Sequence, residues 1–205
     1  MPLVHHPLRG ARVHDDLVLL DLVKGAYDVA PGVFANGASL HEVEEGLGDA
    51  LGPARLVFAE SPLGDGTGQS RPLLQRLAAE PAAATGRDRR DFAAAWCGLA
   101  ATYPGRPLRR LLGSAPDVTA AGMERETLRR AAVFARLLPW APFPGVCLWR
   151  AYLLRLFLRR GGCDADWMFG VRTWPFRAHC WLQLGEVVLD DEPRAVRPYT
   201  PILKA

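Results

Sequence analysis

The sequence predicts an α+β fold in which a buried helix packs on an antiparallel sheet. The run from Cys147 to Arg160 is apolar on nearly every side, a pattern that indicates a central helix. Three short segments with the composition and alternation of strands follow it: Trp167–Arg172, Ala178–Leu184 and Glu186–Leu189.

The N-terminal segment predicts a smaller unit of strands followed by a helix. Two apolar runs, Ala11–His14 and Leu17–Leu22, flank a pair of aspartates and are typical of a hairpin. Lys24–Val29 indicates a further turn and a short strand. Ser39 and Glu42 have the spacing of a capping box, so we expect a helix to begin there.

A division into two domains is expected near residue 82. A glycine-rich loop is followed by a short helix over Ser70–Glu80. The stretch Pro81–Arg87 is the best linker candidate, although its alanines could equally extend a helix. The linker would separate a domain of residues 1–82 from one of residues 83–205.

Two further helices are predicted before the central one. Apolar residues recur at helical spacing in Asp91–Thr102 and again from about Met123 to Leu138. Three prolines within the range 139–144 then force a kinked entry to the next element, because proline cannot continue a helix.

Composition excludes several classes of protein. The chain has 205 residues, 49% of them hydrophobic, and a net charge of +3, which is too small to argue for nucleic acid as a partner. No apolar run reaches the length of about 18 residues that a membrane helix needs, and we expect no signal peptide. The four cysteines lack the spacing of a zinc site or of a disulfide framework, so reducing cytosol is the expected compartment.

Cys147 is the candidate nucleophile. It follows Pro144 and Gly145 at the predicted start of the central helix, where unpaired N–H groups and the helix dipole favour a thiolate. The alternative is a buried structural cysteine, since free cysteine is among the most buried residue types. Cys163 and Cys180 are interpreted as core residues, and alternation along a strand would turn Cys180 away from its neighbour His179.

His179 is the candidate base, and an aspartate near it would orient the imidazole. His179 begins an alternating strand, and Asp190 and Asp191 end the next one. A two-residue hairpin loop would bring Asp190 to the face of His179, whereas a three-residue loop would bring Asp191 there. Both aspartates therefore stay open, and the set has the composition of a Cys-His-Asp nucleophilic site.

The C-terminal part of the chain resembles a known family of enzymes. The resemblance is carried by four short motifs: Gly145–Leu148, Phe169–Arg172, Pro175–Trp181 and the closing Val-Leu-Asp-Asp. Together they resemble the leader peptidases of lasso-peptide biosynthesis, which are transglutaminase-like, and hence papain-like, cysteine proteases. The resemblance implies catalytic roles for Cys147, His179 and Asp191, with no cofactor or metal ion.

The N-terminal hairpin is similar to the winged-helix-like peptide-recognition domain that is fused to this protease in many such proteins. This implies that residues 1–82 bind the leader of a lasso precursor peptide by strand addition. The residues assigned to leader binding are all leucines: Leu17, Leu19, Leu20, Leu22, Leu73 and Leu77.

The implied reaction is cleavage of leader from core, ahead of ATP-dependent ring closure by a partner cyclase of the asparagine-synthetase type. Two alternatives remain: an acyltransferase that uses the same three residues, and a non-catalytic peptide-binding module.

Overall fold

The computed structural model describes residues 8–51, 56–58, 83–113, 123–142 and 145–205, and its mixture of helices and antiparallel strands confirms the α+β class. The helix predicted over Ser70–Glu80 lies outside these residues, as do Leu73, Leu77 and the end of the first predicted domain at residue 82. The division into two domains stays a prediction.

The N-terminal part forms a four-stranded sheet in the order β3-β2-β1-β4, in which only β1 and β4 are parallel. Its elements are β1 (Leu8–Val13), β2 (Asp16–Asp21), β3 (Ala26–Ala30), α1 (Leu40–Leu51) and β4 (Leu56–Phe58). The predicted hairpin is present as β1 and β2, but Val13 pairs with Asp16, so the turn is His14-Asp15. The side chain of Asp16 explains this shift, because it accepts a hydrogen bond from Gly32 N–H at 3.0 Å and another from Trp174 Nε1 at 2.9 Å.

Two capping boxes among the described residues follow from local sequence. The Ser39 hydroxyl accepts the N–H of Glu42 at 3.2 Å, and Glu42 accepts that of Ser39 at 2.7 Å, as predicted for the start of α1. Thr85 and Asp88 form a second box. It starts the next helix at Gly86, earlier than the apolar periodicity indicated.

The described residues between 83 and 142 include the α-helices α2 (Gly86–Thr102), α3 (Leu108–Leu112) and α4 (Met123–Leu137), followed by a short 3-10 helix (Leu138–Trp140). Asp88 of α2 is buried and accepts hydrogen bonds from Arg129 of α4 at 2.9 Å and from Arg130 at 3.4 Å. These charge-assisted bonds hold the pKa of Asp88 well below its usual range, with Arg129 the largest cause. They fix α2 against α4.

The C-terminal part is the predicted helix on an antiparallel sheet. Its elements are α5 (Cys147–Arg160), β5 (Asp166–Arg172), β6 (Arg177–Leu184), β7 (Val187–Val188), α6 (Pro193–Val196) and β8 (Thr200–Lys204). The strand order is β7-β6-β5-β8. Helix α5 packs on β6 and on α2, and its side chains Leu153, Leu154 and Phe157 are fully buried.

The two sheets share one apolar core. Val18, Leu20 and Leu22 of the first sheet belong to the same buried cluster as α5 and the inner face of β5 and β6. Polar contacts also join the first sheet to the rest of the chain. Trp174 Nε1, in the turn between β5 and β6, donates to Asp16 at 2.9 Å, and Arg109 N–H of α3 donates to the Leu22 carbonyl at 3.1 Å. Among the described helices, none is both long and apolar enough to cross a bilayer.

Candidate active site

The start of α5 is shaped by a glycine. Gly145 has φ +64°, and a β-carbon there would lie 2.6 Å from the Trp149 ring, so only glycine fits under this indole. Val146 follows in extended conformation as the N-cap, and its side chain offers no capping hydrogen bond. Cys147 is therefore the first helical residue, with its N–H among the unpaired donors of the first turn.

Two neighbouring residues stabilise the thiolate of Cys147. The side chain of Cys180 is the largest cause and that of His179 the next, and with the Cys180 backbone they lower the pKa of Cys147 to about 4 against the opposing effect of burial. The same contact and burial raise the pKa of Cys180, which thus remains a thiol that can donate to Cys147. The Cys147 contact also raises the pKa of His179. The site favours a thiolate–imidazolium pair.

Asp191 holds the other side of the imidazole. His179 Nε2 lies 2.6 Å from Asp191 Oδ2, which leaves Nδ1 for the sulfur of Cys147. Two aromatic rings pack near the imidazole, with centroids 6.0 Å away at Trp181 and 5.3 Å away at Tyr199. The imidazole is therefore held by a carboxylate and by aromatic packing.

Asp190 does not contact the imidazole. Leu184 pairs with Val187, so the hairpin loop has two residues, Gly185 and Glu186. Continued alternation in this register would bring Asp190 to the face of His179. However, β7 ends at Val188, and alternation does not continue to the aspartates. Asp190 turns back and accepts Leu182 N–H at 2.8 Å.

Cys180 takes part in the site in a way that the sequence did not predict. It is buried in the core, and its thiol is also near enough to Cys147 to be the largest cause of the lowered pKa of Cys147. The start of α5 packs close to β6, and Cys147, His179 and Cys180 all line one cavity. His179 and Cys180, which are neighbours on β6, therefore both lie near the sulfur of Cys147.

The cavity beside Cys147 has a volume of about 360 Å³. One wall is formed by Cys147, His179 and Cys180 with Leu148, Phe169 and Ala178, and another by a segment that includes Tyr103, Arg106 and Leu111. The first sheet closes it, through residues Lys24, Gly25 and Tyr27 at and after the turn from β2. Within the described part of the chain, no group of three His, Cys, Asp or Glu side chains is placed to hold a metal ion.

Comparisons with known proteins agree with this geometry. Residues 92–204, more than half of the chain, match the family model of the transglutaminase-like superfamily. The chain belongs to this superfamily. It is also 39% identical over 51 residues to the microcin J25-processing protein McjB of Escherichia coli, a match that covers 25% of this chain and 24% of the relative. The chain thus spans about a quarter of that relative's length, and no solved structure gives a significant match.

Of the leucines assigned to leader binding, the four that lie among the described residues are buried or partly buried in this transglutaminase-like protein. Leu17, Leu20 and Leu22 are buried in the first sheet or at its end, and Leu19 is partly buried. Strand β2 pairs with β1 on one side and β3 on the other, so its backbone hydrogen bonds are used within the sheet. These leucines support the sheet from inside, and an added peptide would have to pair with another strand.

Three residues near the reacting atoms had no role in the sequence interpretation. Tyr27 and Tyr103 line the cavity, and burial and the nearby Cys180 and Cys147 raise the pKa of each. Arg150 contacts Asp191. Its spacing of one helical turn from Cys147 is a signal that could have identified it.

Proposed function

We propose that the protein is a cysteine endopeptidase that cleaves the leader from the core of a ribosomally made lasso precursor peptide. The observation that carries this proposal is the placement of Cys147 and His179 in one cavity, with His179 Nε2 lying 2.6 Å from Asp191 Oδ2. The similarity to a microcin-processing protein supports processing of a precursor peptide as the reaction.

The mechanism follows from the ion pair. The Cys147 thiolate attacks the scissile carbonyl carbon, and the Cys147 N–H at the helix start is oriented to stabilise the oxyanion. Protonated His179 donates its proton to the leaving amine of the core, which leaves the leader as a thioester on Cys147. Neutral His179 then takes a proton from water, hydroxide adds to the thioester, and the thiolate departs.

Leader recognition is assigned to the edge of the first sheet. Strand β3 is an edge strand, and no described strand pairs with its outer side. A peptide added antiparallel to β3 would run from Ala30 towards Ala26, so its C-terminal end would approach Gly25 and Lys24, which line the cavity. This direction suits cleavage on the C-terminal side of the bound leader. A cyclase of the asparagine-synthetase type is the proposed partner that then closes the ring of the freed core.

Mass spectrometry of a precursor peptide incubated with the full chain tests the activity. We expect two fragments whose masses sum to the peptide plus one water. A conjugate that retains an acyl group on another nucleophile would identify an acyltransferase, and an unchanged peptide that still binds would identify a binding module.

Cys147→Ala should abolish cleavage and leave precursor affinity nearly unchanged, as measured by fluorescence anisotropy with a labelled peptide. Cys97→Ala is the matched control, because Cys97 is an exposed cysteine of α2. Cleavage by Cys147→Ala at the wild-type rate would exclude a thiol peptidase.

A further inference from the structure

Arg150 connects the nucleophile helix to the carboxylate that holds the base. It lies one turn after Cys147 on α5, and its Nη2 donates to Asp191 Oδ2 at 3.0 Å. That oxygen is the one that lies 2.6 Å from His179 Nε2. One carboxylate oxygen therefore bonds both a guanidinium from the helix and the imidazole from the sheet.

Asp190 lies on the other side of the same guanidinium. Its Oδ2 is 3.9 Å from Arg150 Nε, and both atoms are buried without a hydrogen-bond partner among the described residues. Burial is the largest influence on Asp190 and raises its pKa to about 7, while the nearby Arg150 acts in the opposite direction. Arg150 thus lies between two aspartates that follow β7, and it is their ion-pair partner.

The hydrogen bonds from Arg150 and His179 fix the position of the Asp191 carboxylate. The loop after β7 is irregular, so the strand ladder does not fix the carboxylate. The described side-chain hydrogen bonds of Asp191 Oδ2 go to Arg150 and His179. A planar guanidinium has a fixed direction of donation, which an ammonium group lacks. It can therefore hold the carboxylate at one position relative to the start of α5.

We propose that Arg150 is a positioning residue that sets the distance between Cys147 and His179 by holding Asp191 from the nucleophile helix. It does not line the cavity beside Cys147, and it acts through Asp191. The expected effect of Arg150 on peptide cleavage rests on the proposed function. Its expected effect on the Cys147 thiolate does not.

The rate of Cys147 alkylation by iodoacetamide as a function of pH measures the thiolate without any peptide substrate. In Arg150→Met we expect the midpoint of this profile to rise, because imidazolium without a fixed Asp191 stabilises the thiolate less. Arg150→Lys keeps the charge, and we expect it to restore the midpoint only in part. Arg159→Met is the matched control, since Arg159 forms its ion pair with Asp164 near the other end of the same helix.

Cleavage kinetics provide the second readout. A residue that orients a metal-binding histidine without touching the metal typically contributes roughly 10–100-fold to activity. We take the same scale for Arg150, which orients His179 through Asp191. We expect Arg150→Met to lower kcat by roughly this factor with KM nearly unchanged. We also expect the ring N–H proton of His179 to resonate further upfield in this variant than in the wild type.

An unchanged alkylation midpoint in Arg150→Met, with thermal unfolding like that of Arg159→Met, would overturn the proposal. Full restoration by Arg150→Lys would also overturn it, because charge alone would then suffice. If the midpoint moves as expected and no peptide is cleaved even by the wild type, the proposed function fails while the role of Arg150 stands.

Discussion

The acidity of Cys147 arises from a small number of contacts at the start of α5. The Cys180 side chain contributes most to it, and the His179 imidazolium comes next. A hydrogen bond to a charged group contributes about 1.5–3 kcal/mol, which corresponds to one pKa unit or more. Because the thiolate forms as pH rises through the pKa of Cys147, losing a donor must shift reactivity to higher pH.

Cys180→Ala should therefore raise the midpoint of Cys147 alkylation from about pH 4 in the wild type by roughly one unit or more. The pH dependence of the iodoacetamide rate checks this. Cys163→Ala is the control, because Cys163 is equally buried but contacts the Gly161 carbonyl beyond the other end of α5. An equal shift in both variants would mean that loosened packing, and not the lost donor, is the cause.

The two aspartates should differ strongly when each is changed to asparagine. Asp191→Asn can no longer stabilise the correct tautomer of His179, and comparable triads lose roughly 10⁴ in turnover. Asp190→Asn keeps an oxygen for Leu182 N–H, so we expect a change of about half a kcal/mol in stability and little in turnover. Turnover at saturating peptide measures the difference. The opposite ranking would move the orienting role to Asp190.

At the scale of elements, β5 and β6 pack closely around His179. Gly170 of β5 pairs with His179, and a β-carbon there would lie 2.8 Å from Tyr199 and 2.9 Å from the Trp181 ring. Both of these rings pack near the imidazole. Glycine at this position thus leaves room for the two aromatic side chains beside His179.

Gly170→Ala should displace these rings and lower kcat by at least roughly tenfold, together with a loss of about 1–3 kcal/mol in the free energy of unfolding. Gly98→Ala in α2 is the control, because its β-carbon would meet only Leu156 at 3.9 Å and alanine favours a helix. Chemical denaturation and turnover measure both effects. Wild-type turnover in Gly170→Ala would show that the ring stack does not fix His179.

Most elements could be predicted from local sequence, and the failures have specific causes. The start of α5 follows from the Pro/Gly break before Cys147, and α1 follows from its capping box. Strand β8 was not predicted, because its Pro201 reads as a break in a strand. The contact of Arg150 with Asp191 depends on packing between distant elements, which periodicity does not encode.

At the scale of the whole molecule, the first sheet has two surfaces relevant to a peptide. Strand β3 lies at the edge of the sheet, where we propose that the leader adds as a strand, and the turn before β3 lines the cavity beside Cys147. Strand addition uses backbone hydrogen bonds, which alternate in direction with a period of two residues.

A scan of leader peptides with one N-methylated amide at a time should show this period. We expect alternate positions of the bound segment to lose roughly tenfold in affinity, since each removed amide donor is worth about 1 kcal/mol. Anisotropy with the full chain measures the affinities, and side-chain-matched unmethylated peptides are the controls. Sensitivity without a period of two would contradict strand addition.

Tyr27 tests whether the first sheet acts only in binding or also at the site of cleavage. Its ring contacts Phe176 at 5.8 Å between centroids, and it lines the cavity with Cys147. Tyr27→Ala should therefore lower kcat at saturating peptide, by roughly tenfold if the ring orients the scissile segment, because a misplacement of about 1 Å can cost up to a hundredfold. Asp28→Ala is the control, since the neighbouring Asp28 is exposed on the same strand. If Tyr27→Ala changes KM alone, the first sheet contributes affinity only, and the cavity wall from Lys24 to Tyr27 has no part in orienting the bond that is cut.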